Sequence, residues 1–455
     1  MRLLVQNAPF IDANLPTIDN HTQAAIYARH VCTCYSYGFV TFNAGIPVTG
    51  LRSLVQSLGR QVSSSSSWEE NVERYLTAVR TNQAPAAEDA AAVQVSLGIS
   101  ARGYVRMGFK GGFTNEFIDG FPARAWALGV NPKGMWTDRK WSTGADYHLL
   151  LILAGRQTGT QTPADVLQAR KTALEAELGS LANVTWEDGY VDRSGTAEDR
   201  PKSVEHFGFV DGIGNPAFFD DGPRPAPKYG HDTKASLSLV LIPERFPAPG
   251  IPHQYGTFSV FMKISQNVEK FLADASSVAA ATGHSPAVAQ ELMIGRQKDG
   301  TPINHTGNDL NDLNPAADQK DWPSCSHTRK VSWRGAPHRR ILRRGVLYKE
   351  GVAPASPKGL LFHSFQKSIA AQFEVNLRDW ANSASHPAAG AGVDPLIGDP
   401  TKGTQQWPHA GSPATAPLVP CPVGRSVNVE GGEYFYFPSI PSLQNFTAIS
   451  DISPY

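Results

Sequence analysis

Along the chain, stretches in which apolar side chains alternate with polar ones are interleaved with stretches in which they recur every three or four residues. Residues 93–97 (VQVSL) alternate as a half-buried strand does, and 147–154 form a continuous apolar run suited to a central strand. Further strands are expected at 40–42 and 184–191, and helices at 51–59, 100–107 and 117–127. Another helix opens at Thr162-Pro163-Ala164, where Thr162 can cap the first turn and Pro163 suits the first helical position. A loop rich in Pro, Gly and Asp runs from about 218 to 235, and the pattern then begins again. Strands are expected at 257–264, 359–365 and 434–437, with helices at 268–275, 286–293 and 369–382. No short-period repeat is visible, which argues against solenoids and propellers. The serine run 63–67 reads as a surface loop. Two α+β domains of related architecture follow, one over residues 1–230 and one over 231–455.

Composition sharpens this in a few places. The 455 residues carry 41 Lys plus Arg against 41 Asp plus Glu, so nothing in the overall balance favours a nucleic-acid or anionic-membrane partner. Gly (41) and Pro (34) make up about one residue in six, which implies many ordered loops rather than a helical bundle. The start of the chain does not read as a signal peptide, and no apolar run is long enough to span a bilayer. A soluble, cytoplasmic protein is the expectation, with secretion through a removed leader as the alternative. Cys32, Cys34, Cys325 and Cys421 form no CxxC pair and no zinc-site spacing, so free thiols are expected.

Two segments hold candidate chemistry. In Gly208-Phe209-Val210-Asp211-Gly212-Ile213-Gly214-Asn215-Pro216, an Asp lies between flexible glycines just after apolar residues. Such a carboxylate can be projected into a cleft to move a proton, or can simply mark a turn. The second segment, Trp322 to Lys349, has eight Lys or Arg and no Asp or Glu in 28 residues, with His327 and His338 among them. Apolar residues such as Val331, Ile341, Leu342 and Val346 interleave with the charges, as in strands or loops lining a pocket. An anion is the expected ligand: phosphate, a polyanion, or the propionates of a haem.

With these residues in order, the chain resembles a dye-decolorizing peroxidase. The family's GxxDG appears as Gly208-Phe209-Val210-Asp211-Gly212, its proximal-histidine segment as His327-Thr328-Arg329-Lys330-Val331-Ser332-Trp333-Arg334, and its distal-arginine segment as Arg340 to Tyr348. Family-like stretches also occur at 256–261, 359–362, 392–398 and 431–435, so the likeness runs from about 93 to 441. The chain departs from the pattern at Ser332 and Trp333, where the family commonly has Asn and Pro, and in a shorter spacing from His327 to Arg343.

The resemblance implies two ferredoxin-like domains in a dimeric α+β barrel-like peroxidase fold. One haem b per chain would be held mainly by the second domain, with GxxDG reaching over it from the connection between the two. It further implies His327 as the iron ligand, Asp211 as the acid/base for hydrogen peroxide, and Arg343 as the stabiliser of developing charge, with Arg344 its neighbour and rival. Arg329 and Arg334 would meet the propionates. Asp394 would accept from the far nitrogen of His327, with Glu374 as the alternative acceptor. Small aromatic or dye reductants, phenols included, would be the electron donors, with Trp380 and Tyr348 weighed as relays against ordinary packing. Neither a nucleic acid nor a membrane is an expected partner, and a homo-oligomer is compatible with the family. Two other readings carry different expectations: a haem-handling protein of the porphyrin-binding or deferrochelatase kind with little turnover, and a haem-free module binding a polyanion.

Overall fold

The period-two segments pair into a closed antiparallel barrel, and the helical segments cover it from outside. A computed structural model describes residues 2–28, 31–81, 92–130, 146–158, 161–193, 195–197, 200–220, 234–303, 322–332, 335–353, 355–413 and 415–450. The first half supplies β1 (Cys34–Phe42), β2 (Val93–Ile99), β3 (Leu149–Gly155) and β4 (Ala182–Tyr190) in the order β4-β1-β3-β2. The second half supplies β5 (Tyr255–Gln266), β6 (Leu342–Arg343), β7 (Val346–Lys349), β8 (Lys358–Gln366) and β9 (Val427–Phe437). Here β5 lies between β9 and β8, and β8 carries β6 and β7 on its other edge. Two contacts close the ring: β2 meets β9 at Ile99–Tyr436, and β4 meets β7 at Tyr190–Leu347. The fold is thus the α+β arrangement that the strand and helix order implies.

Alternation along the strands separates two cores. Leu149, Leu151 and Leu153 of β3 face the covering helices, whereas Leu150, Ile152 and Ala154 face the barrel interior. Both faces of β3 are buried, which is why its sequence is a continuous apolar run. Inside, Phe39 of β1 meets Phe261 of β5 across the barrel, with ring centroids 4.8 Å apart. Outside, the first half contributes α1 (Val48–Gly59), α3 (Ala101–Arg106), α4 (Asn115–Arg124) and α5 (Pro163–Leu178), whereas α2 (Ser65–Arg80) packs Trp68 and Val72 into the inner cluster. Thr162 and Asp165 form a reciprocal capping box at the start of α5. The second half adds α6 (Val268–Thr282), α7 (Pro286–Ile294) and the short α8 (His327–Val331).

The structure corrects two local expectations. The serine run opens a helix instead of a loop: the Ser64 hydroxyl accepts from the Ser67 amide, capping α2, and Ser65 is buried. Residues 369–382 are helical, but as two wide π-type segments, Ile369–Glu374 and Asn376–Ala381. Apolar spacing alone does not distinguish a bond to the fourth residue from one to the fifth. All four cysteines are free thiols. Among the described residues no helix is long and apolar enough to cross a membrane. The expected boundary at residue 230 falls in 221–233, outside the described residues.

Candidate active site

A cavity of about 800 Å³ lies between the outer face of the second-half sheet and the helices and loops over it. Met262, Ile264, Leu360 and Phe362 from β5 and β8 form an apolar floor, joined by Phe373 and Leu377 of the π-type segments and by Leu396 and Ile397. The volume suits a cofactor-sized ligand, and a mostly apolar lining with few polar groups is usual for such sites.

His327, the first residue of α8, lines this cavity. Its Nδ1 lies 2.8 Å from Asp394 Oδ2, and the Asp394 side chain is fully buried. Asp394 Oδ1 accepts from the amides of Leu396 (2.8 Å) and Ile397 (3.1 Å), which leaves Oδ2 to the imidazole. In the neutral ring this contact places the proton on Nδ1 and leaves Nε2 as a lone-pair donor, with no hydrogen-bond partner among the described residues. The rival Glu374 is engaged elsewhere, accepting from Arg124 Nη2 at 2.7 Å and from the Tyr434 hydroxyl at 3.2 Å.

Asp211 and Arg343 line the same cavity. The loop around Asp211 turns sharply at Gly208, Gly212 and Gly214, whose φ values of 90°, 85° and 81° favour residues without a side chain. Asp211 Oδ1 accepts from the Gly212 amide at 2.6 Å and lies 3.7 Å from Arg343 Nη1; Oδ2 has no partner among the described residues. Arg343 Nη2 donates to the Ile213 carbonyl at 2.9 Å. Its neighbour Arg344 points the other way, into the barrel, where Nε donates to the Ile26 carbonyl at 3.1 Å and burial pulls its guanidinium down to about 10. Arg344 follows directly on β6, and consecutive residues of extended backbone face opposite sides, so only one of the pair reaches the cavity.

Two further predicted contacts fare differently. Arg329 does not face the cavity: it is buried with Nη1 donating to the Trp322 carbonyl, and its guanidinium lies 5.1 Å from the Trp322 ring centroid. A buried guanidinium needs several acceptors, and a nearby carbonyl and indole face satisfy it better than an open cavity. Arg334 lies outside the described residues. The guanidinium groups that do line the cavity beside Arg343 are Arg296, Arg340 and Arg425. Trp380 is buried and stacks on His386, and the buried Tyr348 donates to Glu430 Oε2 at 3.2 Å.

Sequence reasoning missed two residues of this loop. The half-buried Glu205 accepts from the amides of Phe207 (2.9 Å) and Phe209 (3.0 Å) and from Gln266 Nε2 (2.6 Å), and desolvation raises its carboxyl above the usual range. Asn215 pairs with the Arg343 backbone through both atoms of its amide. The only signal for either was proximity to the glycines.

A family model described as the C-terminal region of Dyp-type peroxidases matches residues 244–387. The multifunctional dye peroxidase DyP2 of an Amycolatopsis species is 28% identical over 396 residues, covering 77% of this chain and 82% of its own. Among solved structures, a DyP-type peroxidase from Anabaena superposes with a TM-score of 0.79 at 25% identity, covering 95% of each chain. The structure of DyP2 superposes at 0.77 over 94% of this chain and 96% of its own, at 24% identity, a likeness of fold. These likenesses support a member of the dye-decolorizing peroxidases, a family of haem peroxidases, and an oxidoreductase of that class.

Proposed function

We propose that the chain binds one haem b in the cavity beside His327 and uses it to reduce hydrogen peroxide at the expense of dyes, phenols or other small aromatic reductants. We read it as two halves, 1–230 and 231–455, with the cofactor held mainly by the second. The donor set fits the group: a single imidazole with an unencumbered Nε2, apolar walls at Met262, Ile264, Phe362, Leu377 and Leu396, and several guanidinium groups for two carboxylates. Among the described residues no cluster of three His, Cys, Asp or Glu could hold an ion by itself, so a macrocycle would supply the remaining ligands.

A bound haem supplies the redox equivalents for breaking the O–O bond and for withdrawing electrons from a reductant. The chain does the rest. His327 would hold the haem iron through Nε2, and the Asp394 carboxylate on Nδ1 fixes the tautomer and makes the imidazole more basic. Asp211 would take a proton from hydrogen peroxide on its free Oδ2 and return it to the departing oxygen. Arg343, held by Ile213, would face the negative charge that develops there. Arg340 and Arg425 are the cavity-lining candidates for the propionates, with Arg334 retained from the sequence.

The observation that carries this reading is that the Asp394-tied His327 and the Asp211–Arg343 pair line one apolar cavity. An absorption spectrum taken before and after adding hydrogen peroxide tests it. A Soret band that shifts with peroxide, together with steady turnover of an anthraquinone dye, is expected. A haem spectrum without turnover would favour a porphyrin-handling role, and no Soret band after haem supplementation would overturn the reading.

A further inference from the structure

Asp211 and Arg343 come from distant parts of the chain, yet their terminal atoms stand 3.7 Å apart. Something must hold the loop and the strand in that relation. Arg343 lies in β6, which pairs with β8 on one edge only. Arg344 donates its amide to His363 at 2.7 Å, and the register places Arg343 opposite Ser364. In an antiparallel ladder alternate residues turn their backbone groups toward and away from the partner strand. Arg343 therefore presents both its N–H and its C=O to the outer edge, where a further strand would otherwise add.

Asn215 occupies that edge. The Arg343 amide donates to Asn215 Oδ1 at 3.1 Å, and Asn215 Nδ2 donates to the Arg343 carbonyl at 3.1 Å. The side-chain amide takes the place of a peptide group in a neighbouring strand, over a separation of 128 residues. Asn215 also ends the turn that contains Asp211: its own amide meets the Gly212 carbonyl at 3.4 Å, and Gly212 donates to Asp211 Oδ1. Between them, Ile213 accepts from the Arg343 guanidinium. The four-residue arc 212–215 thus touches Arg343 at the backbone and at the side chain, and touches Asp211 at its carboxylate.

We infer that Asn215 is a positioning residue that registers the Asp211 loop against the Arg343 strand and so sets the distance between the proton-transferring carboxylate and the charge-stabilising guanidinium. The inference rests on the peroxidase reading for the roles of those two groups. The pairing itself stands on the hydrogen bonds. It requires an acceptor and a donor on one short side chain, which Asn alone provides at this length. Asp would keep the bond from the Arg343 amide but set a carboxylate oxygen against the Arg343 carbonyl. Asn215→Asp is therefore predicted to disturb the pair as much as Asn215→Ala, although it preserves shape.

The test uses both variants in the full-length protein. Hydrogen–deuterium exchange reads the pairing directly: the Arg343 amide is expected to lose protection in Asn215→Ala, with protection in α6 and α7 unchanged. In haem-loaded protein the Soret band should keep its position, while the second-order rate with hydrogen peroxide falls roughly 10²-fold, the scale expected for an ångström of misplacement. Fluoride, titrated as a probe of a cation beside the iron, should bind more weakly in both variants. The dye KM should not move. In an Arg343→Ala background, adding Asn215→Ala should slow the peroxide step no further. Wild-type exchange at Arg343 in both variants would overturn the pairing. Lost protection with wild-type peroxide rate and fluoride affinity, or full additivity with Arg343→Ala, would overturn the positioning role. Failure of the wild-type protein to bind haem would instead count against the peroxidase reading, and the exchange data would still decide the pairing.

Discussion

Replacing Asp394 by Asn changes the His327 partner with the least change in shape, and the structure says how the site must respond. Asp394 makes three hydrogen bonds from a fully buried position: Oδ2 to His327 Nδ1 at 2.8 Å, and Oδ1 to the amides of Leu396 and Ile397 at 2.8 and 3.1 Å. An Asn that keeps its oxygen on the two amides must turn its NH2 toward Nδ1. His327 can then accept only by moving its proton to Nε2, the nitrogen needed for the metal. Flipping the amide instead would give up two backbone hydrogen bonds, each worth about 1 kcal/mol, and leave the NH2 facing two donors. Either route loses a charge-assisted bond worth about 1.5–3 kcal/mol, or roughly 10- to 150-fold in an equilibrium constant. That range brackets the roughly 10–100-fold loss typical of removing such a partner from a metal-ligating histidine.

The assay is a titration of haem-free Asp394→Asn with haem, followed by absorbance and compared with the wild type at one pH. Lys330, whose ammonium is buried near Asp394 and donates to the carbonyls of Ser383 (2.7 Å) and His386 (2.5 Å), loses a nearby anion in this variant. Thermal unfolding of the haem-free forms should therefore be measured alongside, so that a change in fold stability is not counted as a change in affinity. Equal haem affinity with an unaltered spectrum would refute the assignment of His327 and Asp394 as a functional pair.

Asp211→Asn should retain haem and slow the stopped-flow reaction with hydrogen peroxide by roughly 10²–10⁴-fold, as for loss of a general acid/base; an unchanged rate would remove Asp211 from that role. Arg124→Met should lower chemical-denaturation stability by about 3–5 kcal/mol, because the Glu374 side chain is fully buried and loses its cation; Arg124→Met combined with Glu374→Met should recover most of the loss. Glu433 accepts from the amides of Phe121 (3.1 Å) and Tyr434 (2.8 Å), and burial pushes its carboxyl up from 4.5 to about 7. The folded chain holds that proton more tightly than the unfolded chain, so the contribution is complete below pH 4.5 and is lost as pH rises through 7. Glu433→Gln should flatten the stability decline over that window by up to about 3 kcal/mol, and an identical slope in denaturation curves across the window would count against it.

Much of the fold was legible because strands buried on two faces leave an unmistakable apolar run, as 149–155 does, and because Thr162-Pro163-Ala164-Asp165 carries its helix start in four residues. Closure was not. It rests on β2 meeting β9 and β4 meeting β7, between strands whose local patterns differ in nothing from those of an open sheet. The serine run misled because serine serves loops and helix caps equally, and the outcome depended on whether the Ser64 hydroxyl met an amide three residues on.

At the site, residue type was legible and direction was not. Between Trp322 and Lys349 the sequence concentrates positive charge, and the structure distributes it to three different ends. Arg343 enters the cavity, Arg344 crosses to the barrel interior because it directly follows Arg343 at the end of a strand, and Arg329 turns onto Trp322. Local composition predicts an attractive potential, but each guanidinium goes where its donors find acceptors, and those acceptors come from Ile26, Ile213 and Trp322. The same reasoning explains why Asn215 escaped notice. Charge announces itself in a sequence, whereas a neutral amide acquires its function only when the chain brings it to the one strand edge with both a donor and an acceptor to offer. The basic segment therefore marks where an anionic cofactor can sit, and a neutral residue from the other half of the chain decides how one of its arginines is held.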